Sequence, residues 1–237
     1  MVDMARSIVI LTGAGMSAES GIATFRASDG LWENHRPEDV ATPEAFAADP
    51  DLVHQFYNAR RAQLLDGVVA PNAAHVALAR LQHELDGHLL LVTQNIDDLH
   101  ERAGSTRVLH MHGELLRSRC NACGAVSEFR GDVDRTTRCP VCGTEGSMRP
   151  HVVWFGEIPL GMDEIFATLE NCDVFAAIGT SGNVYPAAGF VQVARAAGAH
   201  TVELNLEPSF VNTDFKETRL GLAGTTVPEW VAEVLEA

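Results

Sequence analysis

Four cysteines constrain this chain more than any other feature. Cys120 and Cys123 are separated by two residues, Cys139 and Cys142 likewise, and fifteen residues lie between the pairs. That spacing falls within the C-x2-C-x15–20-C-x2-C pattern of zinc sites. Two cysteines three apart on a tight turn can face one tetrahedral ion, and four thiolates leave it no open position. The site is therefore expected to be structural, and any fold must bring the two turns together. Gly124 and Gly143 follow the pairs and permit turns that aim backbone N–H groups at the thiolates. Cys172 is left over. An odd cysteine count with paired spacing favours metal over disulfides and a reducing, cytoplasmic setting. Cys172 is expected to be a buried structural thiol.

The rest of the chain alternates. Short apolar runs at 8–11, 89–92, 108–111, 152–154, 174–178 and 201–204 end in polar or glycine-rich turns. Runs of that length, rich in Val, Ile and Leu, suit strands buried on both faces. Helical patterns lie between, at 72–85, at 185–198 and at 229–235 behind Pro228. Strands alternating with helices predict an α/β fold with a doubly wound parallel sheet. Two segments break the alternation. Residues 28–70 hold a helix at 51–65 behind Pro50 and no strand candidate, and 119–149 hold the four cysteines. Both are expected to build a smaller second lobe.

With 46% hydrophobic and 21% charged residues over 237 positions, the chain has the composition of a globular protein. Its net charge of −15 argues against a non-specific nucleic-acid binder. No apolar run approaches a membrane span, and the run at 8–11 is too short for a signal-peptide core. The expectation is a monomer with neither nucleic-acid nor membrane partner.

Ile8–Leu11 leads into Thr12-Gly13-Ala14-Gly15-Met16-Ser17-Ala18, a strand, a glycine turn and a helix start. Gly13 can take a positive φ, Gly15 lets backbone approach a ligand closely, and N–H groups at the helix start suit a diphosphate. A dehydrogenase wants a second strand next, then an acidic residue for the ribose. Here Ser20–Trp32 is irregular instead, so the nucleotide reading survives and the oxidoreductase reading weakens. Gln94, Asn95 and Asp97 follow a strand, as do Gly179-Thr180-Ser181 and Asn205-Leu206-Glu207. Ligands of such sheets bind beyond the carboxyl ends of the strands. Asn95 or Asp97 could equally cap a helix at 98–102. In the alternating stretch 108–114, His110 and His112 would share one face of a strand, and either could be a general base.

In these residues the chain resembles the sirtuin family of NAD-dependent protein-lysine deacylases. The resemblance is carried by residues 13–22 with Thr24-Phe25-Arg26, by Thr93–Asp97, by His112-Gly113, by the four cysteines, and by Val153-Trp154-Phe155-Gly156-Glu157. Gly179–Ser181 and Asn205–Glu207 extend it, so it spans almost the whole chain in order. It is nearest to the bacterial CobB-type members, in the class that also removes acidic acyl groups.

The resemblance implies a large Rossmann-like part (1–27, 71–118, 150–237) and a small lobe made of a helical module (28–70) and a zinc module (119–149). It implies NAD as co-substrate, wrapped by Gly13, Ala14, Gly15, Ser17, Ala18, Glu19, Phe25, Arg26 and Trp32. Gln94, Asn95, Ile96 and Asp97 correspond to nicotinamide and ribose contacts. Gly179, Thr180, Ser181, Asn205, Leu206, Glu207 and Ala223 lie on the adenosine side. His112, rather than His110, matches the catalytic base. Val153, Phe155, Gly156 and Glu157 match a strand that pairs with the peptide carrying the acyl-lysine, so that main-chain bonds carry much of the affinity. The implied products are free lysine, nicotinamide and O-acyl-ADP-ribose.

Tyr57 and Arg60 are three apart on the expected helix and share a face. A guanidinium grips a carboxylate bidentately and a phenol adds one hydrogen bond. In the sirtuin context the pair resembles the feature that recognises malonyl- or succinyl-lysine. Otherwise it is a surface arginine beside Arg61 and a packed tyrosine. Alternatives on the same NAD residues are a sirtuin-fold protein ADP-ribosyltransferase and a non-enzymatic NAD sensor.

Overall fold

The structure is a computed structural model and describes residues 6–23 and 35–236. Phe25, Arg26 and Trp32 lie outside the described residues. The strands are β1 (Arg6–Thr12), β2 (Gly87–Thr93), β3 (Val108–His110), β4 (Gly113–Cys120), β5 (Val126–Glu128), β6 (Met148–Val152), β7 (Val174–Ile178), β8 (His200–Asn205) and β9 (Glu217–Leu220). The helices are α1 (Ala14–Ser17), α2 (Pro37–Val40), α3 (Pro43–Ala48), α4 (Pro50–Leu65), α5 (Ala73–Glu84), α6 (Leu99–Arg102), α7 (Met162–Leu169), α8 (Phe190–Ala196) and α9 (Ala223–Glu236). Among the described residues, no helix is long and apolar enough to cross a membrane.

Six strands form a parallel sheet in the order β3-β2-β1-β7-β8-β9. The order reverses direction at β1 and β7, which opens a crevice beyond their carboxyl ends. Because successive side chains on a strand alternate, β1 serves two cores at once. Ile8 and Ile10 pack with Leu78 and Leu81 of α5 and with Val227 and Trp230 of α9. Val9 and Leu11 pack with Ile165 and Leu169 of α7 and with Phe190 and Val191 of α8. Each such fully buried aliphatic contributes roughly 1.5–3 kcal/mol of transfer free energy, so β1 is anchored on both faces of the sheet.

A second, antiparallel sheet has the order β5-β4-β6 and carries the cysteine turns. Above it, Val53, Phe56, Tyr57 and Leu64 of α4 pack with Leu115, Leu116, Val152 and Trp154. α4 begins one residue earlier than its pattern predicts. Pro50 occupies the first helical position, where its missing N–H costs nothing, and Asp49 Oδ1 accepts the Leu52 amide at 3.0 Å.

Several expectations change. The alternating stretch 108–114 is not one strand: β3 ends at His110 and the chain turns through Met111 and His112. Gly113 (φ 80°) begins β4, where a Cβ would lie 2.1 Å from the His151 carbonyl oxygen. The strand expected at 152–154 is instead β6, ending at Val152, followed by a turn. The C-terminal helix starts at Ala223 and keeps Pro228 inside it. Burial of Val227, Trp230 and Val231 against α5 outweighs the one lost backbone bond. The helix expected over 185–198 shortens to Phe190–Ala196 behind a single 3-10 turn at Ala187–Gly189.

Candidate active site

The glycine turn after β1 is held by its neighbour β7 rather than by its own helix. Gly13 donates its N–H to Ile178 O and Gly15 to Gly179 O, both at 2.9 Å. Gly13 has φ −130°, so the positive φ expected there is not used. Close approach is what excludes a side chain. A Cβ on Gly13 would sit 2.8 Å from Gly179 O, and one on Gly15 would sit 2.9 Å from Gly179 Cα. The Gly15 amide, being spent on Gly179, does not face a ligand. Gly179 itself has φ +63°, and a Cβ there would lie 2.3 Å from the Met16 nitrogen. Gly179→Ala is therefore expected to cost about 3 kcal/mol by strain and overpacking, readable by denaturant melts.

At the end of β2 the polar residues turn under this loop. Asn95 Nδ2 donates to Gly13 O at 3.1 Å and to Ser17 Oγ at 3.0 Å, and the Asn95 N–H donates to Thr93 Oγ1 at 3.0 Å. Ser17 Oγ in turn donates to Asp97 Oδ2 at 3.1 Å. Asp97 Oδ1 accepts the Leu99 amide at 3.1 Å, a local turn bond one residue ahead of the α6 N-cap, which is Asp98 and has no side-chain cap bond. Burial pushes the Asp97 carboxyl above its ordinary pKa, against the bonds from Leu99 and Ser17. Ile96 contributes its carbonyl, which accepts the Leu115 N–H at 2.8 Å. The sequence offers no reason to single out Asn72. Its Nδ2 donates to Met16 O at 2.8 Å and Ser20 Oγ at 3.0 Å, tying the start of α5 to the glycine turn.

The two histidines separate on hydrogen-bond grounds. His110 points both ring nitrogens at acceptors: Nδ1 at Asn95 O, 3.2 Å, and Nε2 at Glu101 Oε1, 2.7 Å. Burial works to lower its pKa, but the bond to Glu101 and the charge of that carboxylate outweigh it, and the net shift is upward. His110 is thus suited to stay protonated. His112 lies on the β3–β4 turn and has Nδ1 3.1 Å from Gln94 O. A carbonyl only accepts, so Nδ1 carries the hydrogen and Nε2 keeps its lone pair. Burial depresses the His112 pKa below the usual histidine value despite the Gln94 bond. His112 is the one of the two with a basic nitrogen left over.

On the other side of the crevice, Asn205 Nδ2 donates to Thr180 O at 2.7 Å and joins the ends of β8 and β7. Ser181 and Glu207 are exposed there, and Thr180 is half-buried. Leu206 (64% exposed) and Leu222 (53%) offer apolar surface on adjacent strand ends. Glu19 reaches across to accept the Gly224 N–H at 2.9 Å, next to Ala223, while Ala18 is exposed. Polar groups and apolar surface at the carboxyl ends of parallel strands fit a dinucleotide.

On α4, Tyr57 is fully buried and its oxygen accepts the Trp154 Nε1–H at 3.0 Å. Burial holds its phenol far above the ordinary range, hence neutral. Arg60 is half-buried, donates Nη1 to Phe56 O at 2.8 Å and lays its guanidinium 3.3 Å above the Phe56 ring. Arg61, next to it, is no surface residue: it is 1% exposed and binds Leu115 O, Asn58 Oδ1 and Gly131 O. The segment 153–157 is not a strand. The Val153 N–H goes to His112 O at 2.8 Å, that of Phe155 to Ala41 O at 3.0 Å and that of Glu157 to Trp154 O at 3.0 Å. Gly156 takes φ 89° in the turn, and Phe155 is 50% exposed. Glu157 faces inward, where its carboxylate accepts from Arg149, Arg119 and the Trp154 amide. These bonds anchor the turn.

The four cysteines converge. Their sulfurs all lie within 4.8 Å of one another. The Cys120–Cys142 and Cys123–Cys139 pairs are 3.7 and 3.8 Å apart, close to the edge, about 3.8 Å, of a tetrahedron with 2.3 Å zinc–sulfur bonds. Gly124 and Gly143 both take φ 74°, and the Val141 and Cys142 amides point at Cys139 Sγ. Four thiols in this arrangement fit a structural zinc. Cys172 is buried in the large-sheet core and donates to Leu169 O, as a packed thiol should.

The sequence model of the Sir2 family matches residues 13–186. An "NAD-dependent protein deacylase" of Shigella flexneri is 62% identical over 229 residues, which cover 97% of this chain and 84% of that protein. One of Vibrio vulnificus (strain YJ016) is 61% identical over 230 residues, covering 97% and 94%. Among solved structures, a Sir2 homolog in complex with NAD matches with a TM-score of 0.87 at 39% identity, covering 98% of this chain and 90% of that one. A mutant Sir2 homologue bound to ADP ribose matches with a TM-score of 0.88 at 39% identity, covering 98% and 93%. With its glycine turn, its histidine and its thiol cluster placed as above, the chain belongs to the Sir2 family.

Proposed function

We propose that this chain is an NAD-dependent protein-lysine deacylase that removes acidic acyl groups, succinyl and malonyl, as well as acetyl. The observation that supports it most is the setting of His112: Nδ1 lies 3.1 Å from Gln94 O, which leaves Nε2 as the basic nitrogen, and burial lowers the pKa. When bound, NAD is a co-substrate whose ADP-ribose part accepts the acyl group as nicotinamide leaves.

The chain's own residues then have separable tasks. Asn95, Asp97 and Ser17, locked to one another, hold the crevice floor in one geometry, so little reorganisation is needed during reaction. Gln94 orients His112 through its carbonyl. His112 Nε2 takes a proton from a ribose hydroxyl and so frees that oxygen to attack the acyl carbon. Thr180, Ser181, Asn205, Leu206 and Glu207 hold the adenosine end. Val153, Phe155 and Gly156 line the peptide side. Cys120, Cys123, Cys139 and Cys142 hold zinc away from the chemistry. One water completes the sequence by releasing the lysine amine, and the products are free lysine, nicotinamide and O-acyl-ADP-ribose.

Tyr57 and Arg60 carry the acyl preference. A carboxylate at the end of the acyl chain meets a guanidinium and a neutral phenol, whereas acetyl needs neither. Replacing Arg60 by methionine is expected to cut succinyl kcat/KM by tenfold or more, since losing a charge partner in a secluded site costs several kcal/mol. Acetyl turnover should fall far less. Peptide assays on the two substrates decide this, and equal losses on both would remove the acidic-acyl assignment.

A further inference from the structure

The loop after β2 is held through its backbone in a way the sequence motifs do not account for. Its four successive carbonyls, from Thr93 to Ile96, are each engaged by the segment 110–115, which leaves β3 and enters β4. Thr93 O accepts the Met111 N–H at 3.0 Å, and Ile96 O accepts the Leu115 N–H at 2.8 Å. Between them, Gln94 O lies 3.1 Å from His112 Nδ1 and Asn95 O lies 3.2 Å from His110 Nδ1. While the carbonyls serve β3 and β4, the Asn95 side-chain amide serves the glycine turn through Gly13 O and Ser17 Oγ.

One of the four bonds differs from the rest. A backbone N–H does not titrate near neutrality, and a neutral His112 ring still offers its Nδ1–H. His110 lacks that freedom. Its Nε2 lies 2.7 Å from Glu101 Oε1 and its Nδ1 faces the Asn95 carbonyl, and a carboxylate and a carbonyl only accept. Both ring nitrogens must carry hydrogen, which the imidazolium alone provides. A ring that loses its charge has one hydrogen for two acceptors. The charged carboxylate holds it more strongly than the neutral carbonyl does, so Asn95 O is the acceptor left without a donor. The titratable groups around the ring are Glu101 and His100 of α6, Glu114 of β4 and Asp97 of the loop itself. Glu101 and Glu114 favour the charge, while burial keeps His100 neutral and pushes the Asp97 carboxyl upward.

We propose that His110, braced on Glu101, is a positioning residue for the nicotinamide end of the site: its second N–H fixes the Asn95 carbonyl, and with it the loop that presents Asn95, Asp97 and the Gln94 carbonyl under His112. It acts through Asn95. The proposal rests on the deacylase reading given above. It gives the two histidines opposite signs in the pH dependence. His112 works neutral, so activity falls as pH drops through its pKa. His110 works charged, so activity falls as pH rises through its own. Burial works to lower that pKa, and the Glu101 bond and charge raise it above the ordinary histidine value.

The test is the pH profile of kcat/KM for NAD, measured with this chain and one acetyl-lysine peptide over about pH 5.5–9.5, around the titration of histidine. The parent is expected to lose roughly three- to tenfold on the alkaline side, the scale of one hydrogen bond. His110→Asn puts a side-chain amide near the place of Nδ1. It keeps a donor for Asn95 O and has no proton to lose, so this limb should vanish. Glu101→Gln changes a side chain that is 42% exposed. Its amide can donate to Nε2, so a neutral ring keeps Nδ1–H on Asn95 O, and the limb should vanish here too. His110→Ala should sit at the parent's depressed alkaline level at every pH, because the carbonyl has no donor throughout. A parent without an alkaline limb, or a limb of the same size in His110→Asn and Glu101→Gln, would overturn the proposal. So would equal, pH-independent losses in His110→Ala and His110→Asn, which would reduce the ring to packing. A parent that frees no lysine with NAD present removes the deacylase reading and this one with it. A parent that deacylates, with its limb unaltered in the variants, removes only this one.

Discussion

His112→Ala is expected to lower NAD-dependent deacylation by roughly 10²–10⁴-fold, the range of a positioned general base, while NAD still binds. The separation follows from the geometry. Among the described residues, the imidazole's hydrogen bond is to the Gln94 carbonyl, whereas Asn95, Ser17 and Asp97 hold the glycine turn through bonds of their own. The pH profile sharpens the test. Protonation of Nε2 removes the base, so activity falls on the acid side of the His112 pKa. Burial depresses that pKa, so the acid limb of kcat/KM should lie below the ordinary histidine value of about 6.5. The residual activity of His112→Ala should lack that limb. A variant that keeps near-parental activity, or loses NAD binding in parallel, would contradict the assignment.

Removal of zinc is the second large effect expected. The cysteine lobe has almost no core of its own: Cys120, Val133, Cys139 and Met148, with Phe129 beside them. A cluster of that size cannot offset the entropy of ordering its loops. Metal binding to four thiolates supplies about 10–16 kcal/mol in small zinc modules, which makes it the main support here. One zinc per chain is expected by metal analysis. Chelation, or Cys139→Ser, should unfold β4–β6, seen as loss of hydrogen-exchange protection there. Activity should then fall by more than tenfold, because β6 leads into the Trp154 turn and Val153 bonds the His112 carbonyl. A metal-free protein with full activity would show that the lobe stands without the ion.

What the sequence made legible depended on how local each determinant is. β1 was readable because Ile8, Val9, Ile10 and Leu11 are all buried, and an unbroken apolar run is the mark of a two-sided strand. α4 was readable from Pro50, and the zinc site from spacing alone. The antiparallel sheet was not. β4 mixes buried and exposed positions without regular alternation, β5 is three residues long, and their register depends on β6 about thirty residues away. Pro228 misled for a related reason: a local breaker signal lost to long-range burial against α5.

Within the site, residue types were legible and their states were not. Gly13 was readable as glycine-requiring, yet the cause lies in Gly179 and Thr180, which the chain reaches only after more than 160 further residues. Periodicity left His110 and His112 equivalent. The resemblance to sirtuins selected His112, and the physical ground for that choice appears in the partners, Glu101 for one ring and a lone carbonyl for the other. Arg149 lies in no spacing pattern. Its place comes from the inward turn of Glu157, which has no one-dimensional signature.

The most direct test of the account is product stoichiometry. One peptide bearing acetyl- or succinyl-lysine is incubated with the protein, with and without NAD, and all products are followed by mass spectrometry. NAD-dependent loss of both acyl groups is expected, with one nicotinamide and one matching O-acyl-ADP-ribose for each lysine freed. Nicotinamide release with ADP-ribose joined to protein and the acyl-lysine intact would contradict it, as would deacylation that proceeds at the same rate without NAD.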